Sequence, residues 1–174
     1  FGMESEVTSV SAGLVHTCAV RSGQGYCWGS NTHGQLVGNI GSAVLPTLVS
    51  GLAQGVTAIS ASLYFTCAIA NGSARCWGYN LDGNLGDGTF EERREPVAVL
   101  GLESSITEIA TGYYHACAIR DGQVWCWGDN GLHQLGDGTT TRSNEPVRVL
   151  CISNALALTT YGYQNCALEG TTLK

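Results

Sequence analysis

The sequence predicts an all-β repeat protein built from four-stranded antiparallel units, three complete and a fourth begun. Three observations carry this. First, Cys, eight residues and then Cys-Trp-Gly is written three times, from Cys18 to Cys27-Trp28-Gly29, Cys67 to Cys76-Trp77-Gly78 and Cys117 to Cys126-Trp127-Gly128. The copies are 49 and 50 residues apart, and a fixed period of this size is the mark of a repeat architecture. Second, short runs rich in β-branched and aromatic residues alternate with Gly and Asn, as strands and turns do. Third, no stretch sustains a helical apolar period.

The elements follow in order. Copy one reads VTSVSAGLVHTCAV, RSGQGYCWGSNTHGQL and LPTLVSGL; copy two VTAISASLYFTCAIA, NGSARCWGYNLDGNLGDGT and EPVAVLGL; copy three ITEIATGYYHACAIR, DGQVWCWGDNGLHQLGDGT and EPVRVLCI. A fourth begins as ALALTTYGYQNCALEG, with Cys166 placed 49 residues after Cys117. The repeats thus span about 1–50, 51–100, 101–150 and a partial 151–174, in a single repeat domain over 1–174. In copy two, strands are expected at roughly 56–61, 65–70, 73–77 and 96–100. Pro46, Pro96 and Pro146 are read as opening the last strand of each unit, where a missing N–H is tolerable.

The cysteines then acquire a geometry. Placing Cys67 opposite Cys76 centres the hairpin on Asn71-Gly72, the strongest two-residue turn, because both positions need positive φ. The same construction centres the other two hairpins on Ser22-Gly23 and Asp121-Gly122. Each Cys pair is then fourth from its turn, a non-hydrogen-bonded site with Cα atoms about 4.5 Å apart, within disulfide reach. Disulfides Cys18–Cys27, Cys67–Cys76 and Cys117–Cys126 are therefore expected, with reduced buried cysteines and zinc as the weaker alternatives. Cys151 and Cys166 remain. Either they pair with each other, which is the favoured reading, or Cys166 awaits a partner nine residues on.

Composition bounds the rest. With 174 residues, 24 Gly, 3 Pro and 13% charged residues, this is a turn-rich folded β-protein. No apolar run is long enough for a membrane span. No signal peptide is visible, so a mature or excised product is expected. Eight cysteines in this pattern imply an oxidising compartment and an extracellular or cell-surface location. The net charge of −6 argues against nucleic acid as a partner. Phe1-Gly2-Met3-Glu4-Ser5 aligns with Leu100-Gly101-Leu102-Glu103-Ser104, so the start is read as the tail of a preceding strand.

The stretch ITEIATGYYHACAIRDGQVWCWGDNGLHQLGDGTTTRSNEPV, residues 106–147, resembles the repeat of the regulator-of-chromosome-condensation family, and the likeness covers the whole chain. Its Cys-stapled form resembles repeats of secreted bacterial proteins. The resemblance implies a β-propeller of four-stranded blades, usually seven. It leaves function open, because members range from nuclear exchange factors to secreted inhibitor-type propellers. An acidic, cysteine-rich chain without a basic tail does not fit the chromatin-binding branch.

No catalytic set is recognisable, and no cofactor or metal is expected. His16 and His115 occupy one repeat position, filled elsewhere by Phe65 and Gln164, and read as packed residues; His33 and His133 read as solvated. Asp87 and Asp137 sit in Leu-Gly-Asp-Gly-Thr, either a calcium loop or an Asp-Gly turn, and the turn is favoured. Trp28, Trp77 and Trp127 read as inter-blade packing. Tyr113, Tyr114, Trp125, Tyr161 and Tyr163 concentrate aromatics in the later repeats and are candidate contact residues. Asn71-Gly72-Ser73 is also a glycosylation sequon, although the turn already accounts for its Asn-Gly. The function expected is a non-enzymatic extracellular module that binds protein or glycan, or copies of itself as a dimeric ring. The alternatives are a filament subunit joined by strand exchange and a secreted inhibitor.

Overall fold

The computed structural model describes residues 3–38 and 41–170, with the backbone of Thr172 and Leu173. The first blade comprises β1 (Val7–Ala12), β2 (His16–Arg21), β3 (Gln24–Gly29) and β4 (Ala43–Leu48). The second comprises β5 (Val56–Ala61), β6 (Phe65–Ala70), β7 (Ser73–Gly78) and β8 (Arg93–Ala98). The third comprises β9 (Ile106–Thr111), β10 (His115–Arg120), β11 (Gln123–Gly128) and β12 (Ser143–Arg148). The partial fourth holds β13 (Ala155–Tyr161), β14 (Gln164–Glu169) and β15 (Thr172–Leu173). Within each sheet the strands lie in sequence order and antiparallel, and among the described residues there is no helix.

The hairpins stand in the register that the turns dictate. Ser22-Gly23, Asn71-Gly72 and Asp121-Gly122 hold φ of 50 and 72, 52 and 74, and 51 and 73°. Both central residues are left-handed, the geometry whose twist matches flanking strands. Cys18 faces Cys27, Cys67 faces Cys76 and Cys117 faces Cys126, each pair disulfide-bonded with Cα atoms 4.1 Å apart. Cys151 and Cys166 do not pair; both are free and exposed. Cys151 lies in the turn beyond β12 at φ 61°, where the other repeats have Gly51 and Gly101 at 75 and 70°. Cys166 lies inside β14, facing Thr159 of β13.

The last strand of each blade begins earlier than the prolines suggest. β8 starts at Arg93, so Pro96 is its fourth residue. A bulge explains the tolerance: Cys76 faces Val97 and Gly78 faces Arg93, leaving three residues of β8 opposite Trp77 alone. Pro96 lies in that unpaired stretch of an outer strand, where no ladder donor is required. The reading of residues 1–5 as a preceding strand's tail lies partly outside the described residues, at Phe1 and Gly2.

Apolar side chains bind one blade to the next. The first cluster joins Val20, Leu36, Val49 and Leu52 to Ile59 and Trp77 of the second blade. The second joins Phe65, Ile69, Leu85 and Leu102 to Ile106 and Trp127. The third joins Ile119, Val124 and Leu135 to Leu158 and Ala167. Trp77 and Trp127 are fully buried, whereas Trp28 is half-buried. The Trp77 indole N–H donates to the Gln35 carbonyl at 2.8 Å, and Trp127 donates to the Asn84 carbonyl at 3.0 Å. Each tryptophan therefore sits in a slot built by the preceding blade.

A buried histidine relay runs beside these contacts. Thr66 donates its hydroxyl to the Gln35 carbonyl at 3.0 Å, so His16 Nε2–H, 2.8 Å away, is the donor to Thr66. His115 Nε2 lies 2.7 Å from Asn165 Oδ1, and Asn165 donates in turn to the Gln134 carbonyl. At the junction between them, Phe65 and Ala116 replace the polar pair inside the apolar cluster. Burial pushes His16 down to about 4 and also lowers His115. Both rings are therefore neutral structural donors at neutral pH.

Two outcomes follow from these contacts. Each staple closes a hairpin of about ten residues, so replacing Cys67 and Cys76 together by Ala should cost about 2–3 kcal/mol, read by urea unfolding. For His16, the folded value lies below the unfolded 6.5. The unfolded chain thus binds a proton that the folded chain refuses, and stability must fall as pH drops from 6.5 towards 4, by up to about 3 kcal/mol. Unfolding curves across that window should flatten in His16→Phe; an unchanged slope would show that His16 is not the titrating group.

Candidate functional site

Two loops of each complete blade, and the first of them in the partial fourth, come together on one face. The first precedes the second strand and carries Leu14 and Val15, Leu63 and Tyr64, Tyr113 and Tyr114, then Gly162 and Tyr163. The second follows Cys-Trp-Gly. The backbone ties them in register: Ser30 N–H donates to the Val15 carbonyl at 2.9 Å, Tyr79 to Tyr64 at 3.0 Å and Asp129 to Tyr114 at 2.9 Å. The second loop is shaped by a buried asparagine two residues beyond Cys-Trp-Gly's glycine. Asn80 Oδ1 accepts from Leu85 N–H at 2.9 Å while its amide donates to the Glu91 carbonyl at 2.9 Å; Asn130 repeats this with Leu135 and the Thr141 carbonyl. Sequence reasoning overlooked Asn31, Asn80 and Asn130, although their constant offset from Cys-Trp-Gly signals them.

These loops align an arc of rings across the blade junctions. His33 of the first blade meets Tyr64 and Tyr79 of the second at centroid distances of 5.1 and 5.4 Å. Tyr79 meets Tyr114 of the third at 5.9 Å, and Tyr114 meets Tyr163 of the fourth at 6.5 Å. Tyr113 touches Tyr163 at 5.4 Å and Tyr161 at 6.2 Å. Four of the five aromatics singled out in the sequence thus come together. Trp125 does not join them; it lines a separate groove with Leu102, Arg120 and Pro146. The arc also begins earlier than expected, with His33, Tyr64 and Tyr79 from the first two repeats. His33 is not simply solvated, because its Nδ1 lies 2.6 Å from Glu92 Oε1.

Carboxylates border the arc. Tyr79 donates its hydroxyl to Asp82 at 3.1 Å, and Arg142 lies 3.7 Å from Asp82. Burial and the Asp82 charge push the Tyr79 phenol up to about 12. Tyr113 is raised first by the neighbouring Tyr161, and Tyr114 first by burial. All three are neutral hydroxyls near pH 7, so the face combines apolar rings, hydroxyl groups and negative charge.

The other residues considered in the sequence lie apart from this face or serve the scaffold. Asp87 Oδ1 accepts from Thr89 N–H at 3.0 Å and the Thr89 hydroxyl at 2.7 Å, and its other oxygen accepts from Arg93 at 2.8 Å. Asp137 repeats the turn with Thr139. Burial opposes ionisation of both, but these donors outweigh it and hold the carboxyls low. His133 stands at φ 63°, where Gly34 and Gly83 stand at 79 and 80°, with its ring 3.1 Å from the Thr139 carbonyl. Asn71 is exposed at its hairpin tip. Along the propeller axis, β1, β5, β9 and β13 line a cleft of about 490 Å3, with Ala61 N–H donating to Ser11 at 2.9 Å and Thr111 N–H to Ser60 at 3.1 Å.

Comparison with known proteins agrees with this architecture. The model of the regulator of chromosome condensation (RCC1) repeat matches residues 22–69, 71–119 and 121–159, and a second model of the same repeat matches 7–35 and 106–134. Comparison with curated protein sequences finds no match. Among solved structures, human WBSCR16 superposes with a TM-score of 0.85 at 18% identity, over 97% of this chain and 47% of that one. Prp20p from Saccharomyces cerevisiae, studied for its binding to Gsp1p and histones, gives 0.79 at 17% identity, over 90% and 42%. The CRINKLY WD40 ectodomain of the Arabidopsis thaliana receptor kinase ACR4 gives 0.52 at 20% identity, over 96% and 47%. The chain spans less than half the length of each. The three matched repeats, their four-stranded blades and their shared register make this chain a member of the regulator of chromosome condensation repeat family.

Proposed function

We propose that this chain is a non-enzymatic extracellular module whose aromatic arc binds a protein partner through a basic segment. The observation that carries this reading is the continuity of the arc: His33, Tyr64, Tyr79, Tyr114, Tyr163, Tyr113 and Tyr161 touch in sequence across every blade junction. Tyrosine is enriched at binding hot spots, since it offers a large rigid contact with a polar tip. Tyr161 is 82% and Tyr163 40% exposed, so apolar area is offered at the fourth-blade end.

Ring orientation favours a protein over a glycan. Neighbouring rings are inclined by 35 to 90°, a corrugated surface that suits interleaved side chains better than stacked sugar faces. The bordering Asp82 and Glu92 favour Lys or Arg, whose cations also attract tyrosine faces. The three disulfides support an oxidising compartment. The binding of Prp20p to proteins is a parallel at the level of the fold.

Arrays of basic peptides and of glycans test this directly. Peptides with spaced Lys or Arg should be retained, and Tyr114→Ala with Tyr163→Ala should weaken their binding at least tenfold while leaving the thermal midpoint nearly unchanged. Retention of glycans with no basic-peptide binding would overturn the reading.

A further inference from the structure

Every blade junction sets one ring against one partner at a fixed repeat position, and the three junctions fill that position differently. At the first, His16 meets Thr66 of the second blade; at the third, His115 meets Asn165 of the fourth. At the middle junction the corresponding residues are Phe65 and Ala116. His16 and His115 are 2% and 0% exposed. Each ring spends its Nε2–H on the neighbouring blade, and each Nδ1 is buried with no partner among the described residues. A second proton must enter at Nδ1, so it brings a charge into a buried interface that offers the new N–H no acceptor.

The surroundings compensate that charge poorly. Gly13, Gly29 and Thr66 pack on His16, and burial alone sets its preference for the neutral form. Gly112, Gly128 and Asn165 pack on His115; burial there outweighs the Asn165 bond and the Asp129 charge, both of which favour the proton. Of the other histidines, His133 lies against the Thr139 carbonyl, and His33 pairs with Glu92 across the first junction. The His33–Glu92 pair tightens on protonation, but it is partly exposed and screened by solvent, so it offsets only a small part of the cost at His16. The middle junction is bridged by Asp82 and Arg142 beside Phe65 and Ala116.

The same two residues close the loops that present the arc. The His16 carbonyl accepts from Gly13 N–H at 2.8 Å and the His115 carbonyl from Gly112 N–H at 2.9 Å, and Val15 and Tyr114 immediately precede the rings. We propose that the first and third junctions are acid-sensitive latches, each held by a neutral histidine, which open while the middle junction stays shut. On opening, each ring takes one proton from solvent at Nδ1 and returns it on closing. The open ring titrates as an ordinary histidine near 6.5, whereas closed His16 holds out to about 4. The open state therefore binds the extra proton, and opening gains as pH falls from 6.5 towards 4. It parts His33 from Tyr64 and Tyr79 at the first junction and Tyr114 from Tyr163 at the third, while Tyr79 stays against Tyr114. Moderate acid thus cuts the arc near both ends. Release of a bound partner by that cut rests on the reading of the arc as the binding surface; the latch itself is a property of the scaffold.

Amide hydrogen exchange by NMR at pH 7.5 and 5.0, corrected for intrinsic rates, reads each junction without any ligand. Leu14 and Val56 N–H bridge the first junction to the Ser62 and Gly23 carbonyls, and Tyr113 and Ala155 bridge the third to Gly162 and Gly122. Ile106 and Gly88 bridge the middle one to Gly72 and Asn144. The opening equilibrium at Leu14 and Val56 should rise about twentyfold between pH 7.5 and 5.0. It should rise in the same direction at Tyr113 and Ala155 and hold at Ile106 and Gly88. Copying the middle junction onto the first, by His16→Phe with Thr66→Ala, should abolish the rise at Leu14 and Val56 and keep that at Tyr113 and Ala155; His33→Gln should keep both. An equal rise at all three junctions, no rise at Leu14 and Val56, a rise that survives the paired substitution, or one lost with His33→Gln would each overturn the proposal.

Discussion

The structure depends on one contact repeated at the two junctions between its complete blades: a tryptophan from one blade buried in a slot of the preceding blade, with its N–H satisfied by a backbone carbonyl there. A four-stranded sheet this small has apolar faces that it cannot cover alone. Trp77 and Trp127 cover them, and their carbonyl acceptors fix where the ring can sit. The staples and type I′ turns set each hairpin's register, which delivers the tryptophan to its slot. Stability is then shared between neighbouring units, as in other repeat folds.

Most of the scaffold was legible because it rests on local rules repeated three times. Ser22-Gly23, Asn71-Gly72 and Asp121-Gly122 announce two-residue turns, and a two-residue turn determines every opposed pair beyond it. The prolines misled because a bulge is a relation between two strands, and no single run reveals it. The pairing of Cys151 with Cys166 failed for a similar reason: one lies in a turn at an outer edge and the other within a ladder, a difference that spacing does not encode.

The aromatic arc was only half legible. Tyr113 and Tyr114 lie in the third repeat and Tyr161 and Tyr163 at the corresponding loop of the next, and this concentration in the later repeats reads as a cluster. Tyr64 shares the repeat position of Tyr114 and Tyr163 in an earlier repeat, whereas His33 and Tyr79 come from other positions that the propeller geometry brings beside it. Trp125 was grouped with them as another late aromatic, but it lies within β11 and packs towards Leu102, Arg120 and Pro146, away from the loops that carry the arc. The division of labour is consistent. Positions that repeat, such as the cysteines, the tryptophans and Asn31, Asn80 and Asn130, build blades. Positions that vary, such as Val15, Tyr64, Tyr114 and Tyr163, decorate the face.

The most direct measurement compares urea unfolding of Trp77→Phe, Trp127→Phe and Trp28→Phe. Phe keeps a ring but removes the N–H and part of the volume. Loss of about 2 kcal/mol is expected for Trp77 and Trp127, which fill slots, and less than about 0.5 kcal/mol for the half-buried Trp28. Equal losses at all three positions, or none at Trp77 and Trp127, would contradict the inter-blade slot as the contact on which the fold depends.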